Sequence, residues 1–368
     1  MSSAEPSQVL AAQVVLPCSD LDVTLAFFTG TLGFRVDTIA PADSPSMAVI
    51  SGHGVRIRLQ RTSAGAPGVV QLLCRDPSTM AGGLLELTAP NGTRIELVAA
   101  DPPLVVPPVK QSLVVSTMRE ARWGVGRAGM RYRDLVPDRQ GGRFIASHIR
   151  IPEGGPVPDY VHFHKVRFQV IYCYRGWVRV VYEDQGPPFV MHAADCVLQP
   201  PQIRHRVLEC SPGLEVIEIT CPADHETVAD HVLALPTGTL DSSRNFGGQR
   251  FVRHQAAAAV WRPWRLEGFE CRDLGIAAAT GDLAVVRVAR PNGALTSGMH
   301  SHDAEFLLTF VLEGAMTLCC EGRQAQRLNA GDCFVIPAKM PHALTDCSPD
   351  TELLEAALPA GFGTIPQA

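Results

Sequence analysis

The stretch that decides the fold is His162-Phe-His-Lys-Val-Arg-Phe-Gln-Val-Ile-Tyr-Cys-Tyr-Arg-Gly176. It begins with two histidines two residues apart, and in a strand residues two apart share one face. The apolar, β-branched and aromatic run behind them predicts such a strand. A third histidine, His205, follows downstream. Three imidazoles converging from neighbouring strands form a site for a transition metal such as iron, nickel, copper or zinc.

The same pattern occurs a second time, as His300-Ser-His-Asp-Ala-Glu-Phe-Leu-Leu-Thr-Phe-Val-Leu-Glu-Gly314 with His342 behind it. Arg133-Asp-Leu and Arg272-Asp-Leu repeat with the motifs, at an offset of about 137 to 139 residues. A constant offset over several motifs indicates one domain that has been duplicated. Both copies consist of short strand patterns separated by Gly, Pro and Asp turns, which is typical of an all-β sandwich or small barrel.

The composition is that of an ordinary globular protein. The 368 residues are 46% hydrophobic and 19% charged, with a formal net charge of -5, which gives no reason to expect nucleic acid as a partner. The first residues lack the basic flank and apolar core of a signal peptide, and no window resembles a membrane span. We therefore expect a cytoplasmic protein without a membrane partner. The eleven cysteines form no paired framework and are expected to be reduced core thiols.

The first hundred residues follow a different plan. A strand pattern at 14–16 is followed by an N-cap cluster at 19–22, apolar residues at helical spacing up to Gly33, and further strand patterns. Residues 16–34 resemble the opening βαβββ module of the glyoxalase/extradiol (vicinal oxygen chelate) superfamily, and residues 91–98 resemble its closing strand. Gln13 stands where that family usually carries a metal histidine. We therefore expect residues 1–104 to form a metal-free structural or accessory domain.

A proline-rich joint at 101–109 predicts a domain boundary. The two copies are expected at 105–225 and 266–368, joined by a helical connection at 226–265. Helix candidates in that connection are 226–235 and 256–264.

Both copies resemble cupin domains, whose first motif is a glycine, HxH, a glutamate and a closing glycine, and whose second ends in a third histidine. All six histidines of a two-site bicupin are present. Gln169 stands at the glutamate position of the first copy and Leu307 at that of the second. The expected fold is therefore mainly β, with two tandem double-stranded β-helix (cupin) barrels preceded by a small α+β domain of βαβββ type. The resemblance implies metal ligands at His162, His164, His205, His300, His302 and His342.

Three further residues are candidates for a catalytic role. The amide of Gln169 could bind the metal weakly or hold a substrate oxygen. Glu305 could replace the carboxylate that Leu307 lacks, if its strand is regular. Arg167 belongs to a basic group around the first copy, and one or two of its members pointing inward would suit a carboxylate or enolate substrate. The other members of the group are Arg143, Arg150, Lys165, Arg175, Arg179, Arg204 and Arg206.

The resemblance implies a metal-dependent oxygenase, and the basic group around the first copy makes that copy the expected catalytic centre. Fe(II) is the expected cofactor, with Zn, Mn, Ni or Cu as other metals, and the substrate would be a hydroxylated aromatic, keto acid or diketone. A redox-neutral isomerase, lyase or decarboxylase is one alternative, and a non-catalytic small-molecule-binding protein is another. No helix-turn-helix pattern supports a transcription factor. Sheet augmentation between the two copies, and a homodimer, would cover exposed strand edges.

Overall fold

The chain divides into two compact units, Met1–Pro103 and Leu104–Ala368. The computed structural model describes residues 13–41, 45–62, 65–126 and 130–367. The division falls inside the proline-rich joint expected at 101–109. The segment in which no signal peptide was expected lies outside the described residues. No helix in the described part of the chain has the length and apolarity needed to cross a bilayer.

The first unit is a small α+β body that opens in the predicted strand–helix–strand order. Its elements are β1 (Val14–Cys18), α1 (Leu21–Gly30), β2 (Arg35–Ala40), β3 (Met47–Gly52), β4 (Val55–Arg61), β5 (Val69–Cys74), β6 (Glu86–Thr88) and β7 (Arg94–Ala99). The Asp20 side chain caps α1 by accepting the Val23 N–H at 3.1 Å. The helix ends at Gly30, three residues before the Gly33 expected from the sequence.

The strands of this unit form two sheets, in the orders β1-β4-β3-β2 and β5-β7-β6. Two short 3-10 turns lie between β5 and β6 where a second full helix would stand. One apolar core joins α1 to both sheets. The glyoxalase-like assignment of this unit stays a prediction.

The second unit is built almost entirely of strands. Its first half contains β8 (Val114–Ser116), β9 (Gly124–Val125), β10 (Arg131–Asp134), β11 (Ile145–Ile151), β12 (Gly155–Pro156), β13 (His162–His164), β14 (Phe168–Arg175), β15 (Trp177–Tyr182), β16 (Phe189–His192), β17 (Cys196–Leu198), β18 (His205–Cys210), β19 (Leu214–Cys221), β20 (Thr227–Ala229), β21 (Asn245–Phe246), β22 (Gln249–Arg250) and β23 (Val252–His254). Its second half contains β24 (Arg262–Pro263), β25 (Phe269–Asp273), α2 (Ile276–Thr280), β26 (Val285–Pro291), β27 (His300–His302), β28 (Phe306–Glu313), β29 (Ala315–Cys320), β30 (Gln326–Asn329), β31 (Cys333–Val335), β32 (His342–Thr345), β33 (Glu352–Leu358) and β34 (Thr364–Pro366).

Two barrels result, each made of two sheets. The first barrel combines β23-β17-β14-β19-β11-β10-β9 with β16-β15-β18-β13-β20. The second barrel combines β24-β25-β26-β33-β28-β31-β8 with β30-β29-β32-β27-β34. The predicted fold class, mainly β with tandem cupin barrels, is confirmed.

The two barrels exchange short arms across their contact. The first arm, β8, precedes the first barrel but pairs with β31 of the second. The second arm, β23, precedes the second barrel but pairs with β17 of the first. Asp332 accepts the Met118 N–H at 2.6 Å, and Asp195 accepts the Ala256 N–H at 2.8 Å, so equivalent aspartates hold both arms.

The arginine of each repeated Arg-Asp-Leu motif lies in this contact. Arg133 is 1% exposed and donates to the Gly331 carbonyl at 2.6 Å. Arg272 donates to the Tyr172 hydroxyl at 3.2 Å. One apolar core then runs through both barrels. The exchange matches the sheet augmentation that we expected between the copies.

The predicted helical connection at 226–265 is wrong. Residues 226–235 contain β20, which pairs with β13, and residues 256–264 contain a single 3-10 turn at Ala256–Ala258 before β24. All of 226–265 is described, and none of it is α-helical. Pairing of β20 with β13 at the edge of a sheet determines the backbone conformation here and overrides the helix propensity of the segment.

Candidate metal centre

Three histidines meet at one end of the first barrel. His162 and His164 lie on β13, and His162 stands directly opposite His205 of β18 in the antiparallel ladder. Cross-strand partners and residues two apart share a face, so the pairing brings all three rings together. One ring nitrogen from each histidine lies within 4.8 Å of the other two.

Backbone carbonyls orient two of these rings. His162 Nδ1 donates to the Tyr160 carbonyl at 2.8 Å, and His205 Nδ1 donates to the Ile203 carbonyl at 3.0 Å. A carbonyl only accepts, so the proton of each ring is on Nδ1 and its lone pair is on Nε2. His164 Nδ1 contacts the Thr227 hydroxyl at 2.9 Å. This donor set fits a divalent transition metal.

A buried carboxylate supports the first histidine from behind. The Asp159 Oδ1 lies 3.6 Å from His162 Nδ1, and its Oδ2 accepts the Val207 N–H at 3.0 Å. A carboxylate behind a ligating imidazole orients the ring and raises its basicity. Ser297 stands at the equivalent place in the second barrel, where its hydroxyl accepts the Leu344 N–H.

The three histidines open onto a cavity of about 300 Å³. Tyr182 stacks on His205 at 5.4 Å between ring centroids, and burial raises the pKa of its hydroxyl far above the ordinary value, so this group stays protonated. Most of the wall is apolar. The polar lining residues are Tyr132, Ser147, His162, His164, Tyr182, Gln199, His205, Glu218, His225 and Thr227.

The basic group around the first copy does not supply an inward cation. None of its eight members lines the cavity. Arg150 pairs with Glu215 at 2.9 Å, and Lys165 pairs with Glu226 at 3.0 Å. Neither of these acids lines the cavity.

The three candidate catalytic residues lie beside the cavity wall or away from it. Gln169 is 1% exposed, and its amide donates to Glu218 at 3.0 Å. Arg167 precedes β14 and does not line the cavity. Glu305 was expected to replace the missing carboxylate at the second triad. It forms an ion pair with Arg143.

The second triad differs from the first in the hydrogen bonds of one ring. His300 and His342 keep the same arrangement as their counterparts, with Nδ1 bound to the carbonyls of Gly298 and Met340. His302 differs, because its Nδ1 accepts the Ala304 N–H and its Nε2 donates to the Ile336 carbonyl, both at 3.1 Å. With both nitrogens occupied, this ring has no lone pair for a metal.

Two larger side chains stand inside the second barrel where the first has valines. Met316 and Leu318 stand at the positions of Val178 and Val180, and they pack into a core with Trp264. Burial lowers the pKa of His302 to about 4 and that of His342 to about 3. These two rings are therefore neutral, buried parts of a packed interior.

A buried ion pair completes that interior. Arg265 Nε lies 3.1 Å from a Glu355 oxygen, and the Glu355 side chain is 1% exposed. The first barrel carries Glu218 at the position equivalent to Glu355, and there it lines the cavity. The same carboxylate is paired in one barrel and open to a ligand in the other.

Sequence reasoning missed several residues of the site. His225 has no motif around it, yet its ring lies 5.6 Å from that of His164 and lines the cavity. Its Nδ1 donates to the Pro222 carbonyl at 3.1 Å. Asp159 and Glu218 also lie outside the motifs. Only the repeat gave a signal for Glu218, through its alignment with Glu355.

Comparisons with known proteins agree with this architecture. A family model described as "Cupin domain" matches residues 286–353, in the second barrel. No curated protein gives a match.

Several solved structures have a similar fold. A salicylate 1,2-dioxygenase variant from Pseudoaminobacter salicylatoxidans in complex with gentisate has a TM-score of 0.53 at 16% identity, over 72% of this chain and 88% of that one. Lactobacillus farciminis oxalate decarboxylase in a formate complex has a TM-score of 0.51 at 14% identity, over 70% and 89%. A Bacillus subtilis oxalate decarboxylase variant has 0.51 at 12%, over 72% and 81%. At these identities the similarity shows the bicupin fold alone.

Proposed function

We propose that the chain is a metal-dependent cupin oxygenase, with Fe(II) held by His162, His164 and His205. The observation that carries the proposal is the contrast between the triads: in the first, one ring nitrogen of each histidine lies within 4.8 Å of the other two, and all three residues line a cavity. A bound metal would supply Lewis acidity towards chelating oxygens and, in the case of iron, reactivity with dioxygen.

The residues of the chain have separate parts in this function. The carbonyls of Tyr160 and Ile203 and the carboxylate of Asp159 fix the ligand rings. The apolar wall excludes water and receives the hydrocarbon part of a small substrate. Three neutral ligands leave positions for two substrate oxygens, as in a hydroxylated aromatic, keto acid or diketone.

The test combines metal analysis with oxygen uptake. Protein purified without added metal should contain iron, and it should consume oxygen with at least one member of a panel of catechols, salicylates, β-diketones and keto acids. His162→Ala should abolish uptake, whereas His300→Ala should keep it. Bound zinc with no uptake on any compound would contradict the oxygenase and favour a redox-neutral enzyme.

A further inference from the structure

One carboxylate enters the cavity of the first barrel from a strand that carries no motif. Glu218 lies on β19, between Ser147 of β11 and Ile171 of β14 in the ladder. All three side chains line the cavity that the histidines open onto. Glu218 is therefore on the wall that a ligand bound at the triad would face.

Two donors hold this carboxylate by a single oxygen. Gln169 Nε2 donates to Glu218 Oε1 at 3.0 Å, and the Thr220 hydroxyl donates to the same atom at 3.2 Å. Gln169 and Thr220 are 1% and 0% exposed, so their positions are fixed by packing. Every hydrogen bond described for Glu218 uses Oε1, which leaves Oε2 for a group in the cavity.

The charge around Glu218 selects against anions. Among the described lining residues there is no lysine or arginine. In the second barrel the equivalent Glu355 is matched by Arg265. A dianionic ligand at the first triad would face the Glu218 carboxylate in an apolar cavity, where like charges repel strongly. A ligand that arrives neutral and gives up a proton meets no such barrier.

We propose that Glu218 is the proton acceptor of the site and that the substrate is a neutral weak acid with two chelating oxygens, of the β-diketone or catechol class. The inference rests on the proposed function and narrows it. As the substrate chelates, its O–H bond breaks, the electron pair stays on the substrate oxygen, and the proton passes to a Glu218 oxygen. Gln169 is then a positioning residue. Keto acids and dicarboxylates are excluded as substrates.

Binding to the zinc-loaded full chain tests this step without turnover. Calorimetric titration with pentane-2,4-dione in buffers of different ionisation enthalpy counts the protons released to solvent. The wild type should release almost none, because Glu218 keeps the proton. Glu218→Gln should release about one and bind the diketone about tenfold more weakly, as expected for a lost hydrogen bond to a charged group. Glu209→Gln, an exposed change on β18, should behave as the wild type.

Oxalate serves as the dianionic probe. The wild type should prefer the diketone, and Glu218→Gln should shift the preference about tenfold towards oxalate by removing the repulsion. Glu218→Asp keeps a carboxylate and should restore the proton count. An unchanged count and preference in Glu218→Gln would overturn the proposal, and so would tighter binding of oxalate than of the diketone by the wild type.

The two proposals fail in different ways. If the proton count is as predicted but the iron-loaded chain consumes no oxygen, the oxygenase proposal is overturned. The role of Glu218 as proton acceptor is then kept. Oxygen uptake with keto acids alone would keep the oxygenase and overturn the substrate class. A chain that takes up no metal at the first triad would overturn both.

Discussion

The two barrels share a histidine pattern but differ in what surrounds it. In the first, the three ring nitrogens converge, Asp159 supports His162, and valines line a cavity. In the second, both nitrogens of His302 are bound to the backbone, and larger side chains replace the valines. The comparison teaches that the same spacing of three histidines is compatible with different ring orientations and with different amounts of space beside the rings.

The largest expected effect is on metal content. The wild type should retain one metal per chain, because the ring nitrogens of the first triad lie within 4.8 Å of one another, whereas both nitrogens of His302 in the second are bound to the backbone. His162→Ala or His205→Ala should lose it, with affinity falling by more than the roughly 10–100-fold that an outer-shell change costs. His342→Ala should keep one. Elemental analysis after dialysis checks this, and two metals per wild-type chain would break the comparison.

The next effect is on stability, at the two equivalent carboxylates. Glu355→Gln removes one partner of a buried ion pair and should lower the free energy of unfolding by about 3–5 kcal/mol. Glu218→Gln, the matched change in the first barrel, should cost about 1 kcal/mol or less, because only hydrogen bonds are altered. Urea unfolding of both variants measures the difference. Equal losses would mean that the carboxylates have the same role.

Acid should weaken the second barrel. Burial lowers the pKa of His302 to about 4 and that of His342 to about 3, whereas in the unfolded chain both titrate near 6.5. The unfolded state therefore binds more protons below pH 6.5, and stability falls as pH decreases from there towards 4. The loss should be on the order of a few kcal/mol at about 1.4 kcal/mol per pKa unit.

The measurement is urea unfolding between pH 7 and 4.5. His302→Leu removes one of the two groups, so its stability should depend less steeply on pH than that of the wild type. An identical slope in the variant would show that His302 does not carry the effect.

The smallest expected effect is on metal affinity, and it distinguishes Asp159 from its counterpart Ser297. Asp159→Asn should weaken metal binding by about 10–100-fold, the usual cost of changing the partner of a ligating histidine. Ser297→Ala, the matched change in the second barrel, should leave metal affinity unchanged. Competition with a chelator gives both values. A full-affinity Asp159→Asn variant would show that the backbone carbonyl alone orients the ring.

The sequence predicts much of the fold, because a duplicated motif and a period of two residues determine strands and their faces. It is wrong at 226–235, where Thr227 lies on a strand that borders the first triad. Long-range pairing of β20 with β13 could not be predicted from local propensity. Whether a member of the basic group points into the cavity could not be predicted for a related reason. The face that a strand residue occupies depends on register, and the sequence of one strand does not determine register.

The candidate site shows the same limit. Spacing identifies all six histidines, but it does not tell that the His302 ring is turned onto the Ile336 carbonyl. Glu218 carries no motif, and its position relative to the triad follows only from the pairing of β19 with β11 and β14. Residues that act through tertiary neighbours have no local signature.

The exchanged arms affect whether the two barrels of the second unit can separate from each other. Because β8 completes the sheet of one barrel and β23 that of the other, each barrel contains a piece of chain that belongs to its neighbour in sequence order. A cut in the connecting segment near residue 240 would leave two fragments that stay interlocked. We therefore expect the two barrels to unfold together, because removing either one would leave the partner strand of its arm without a neighbour.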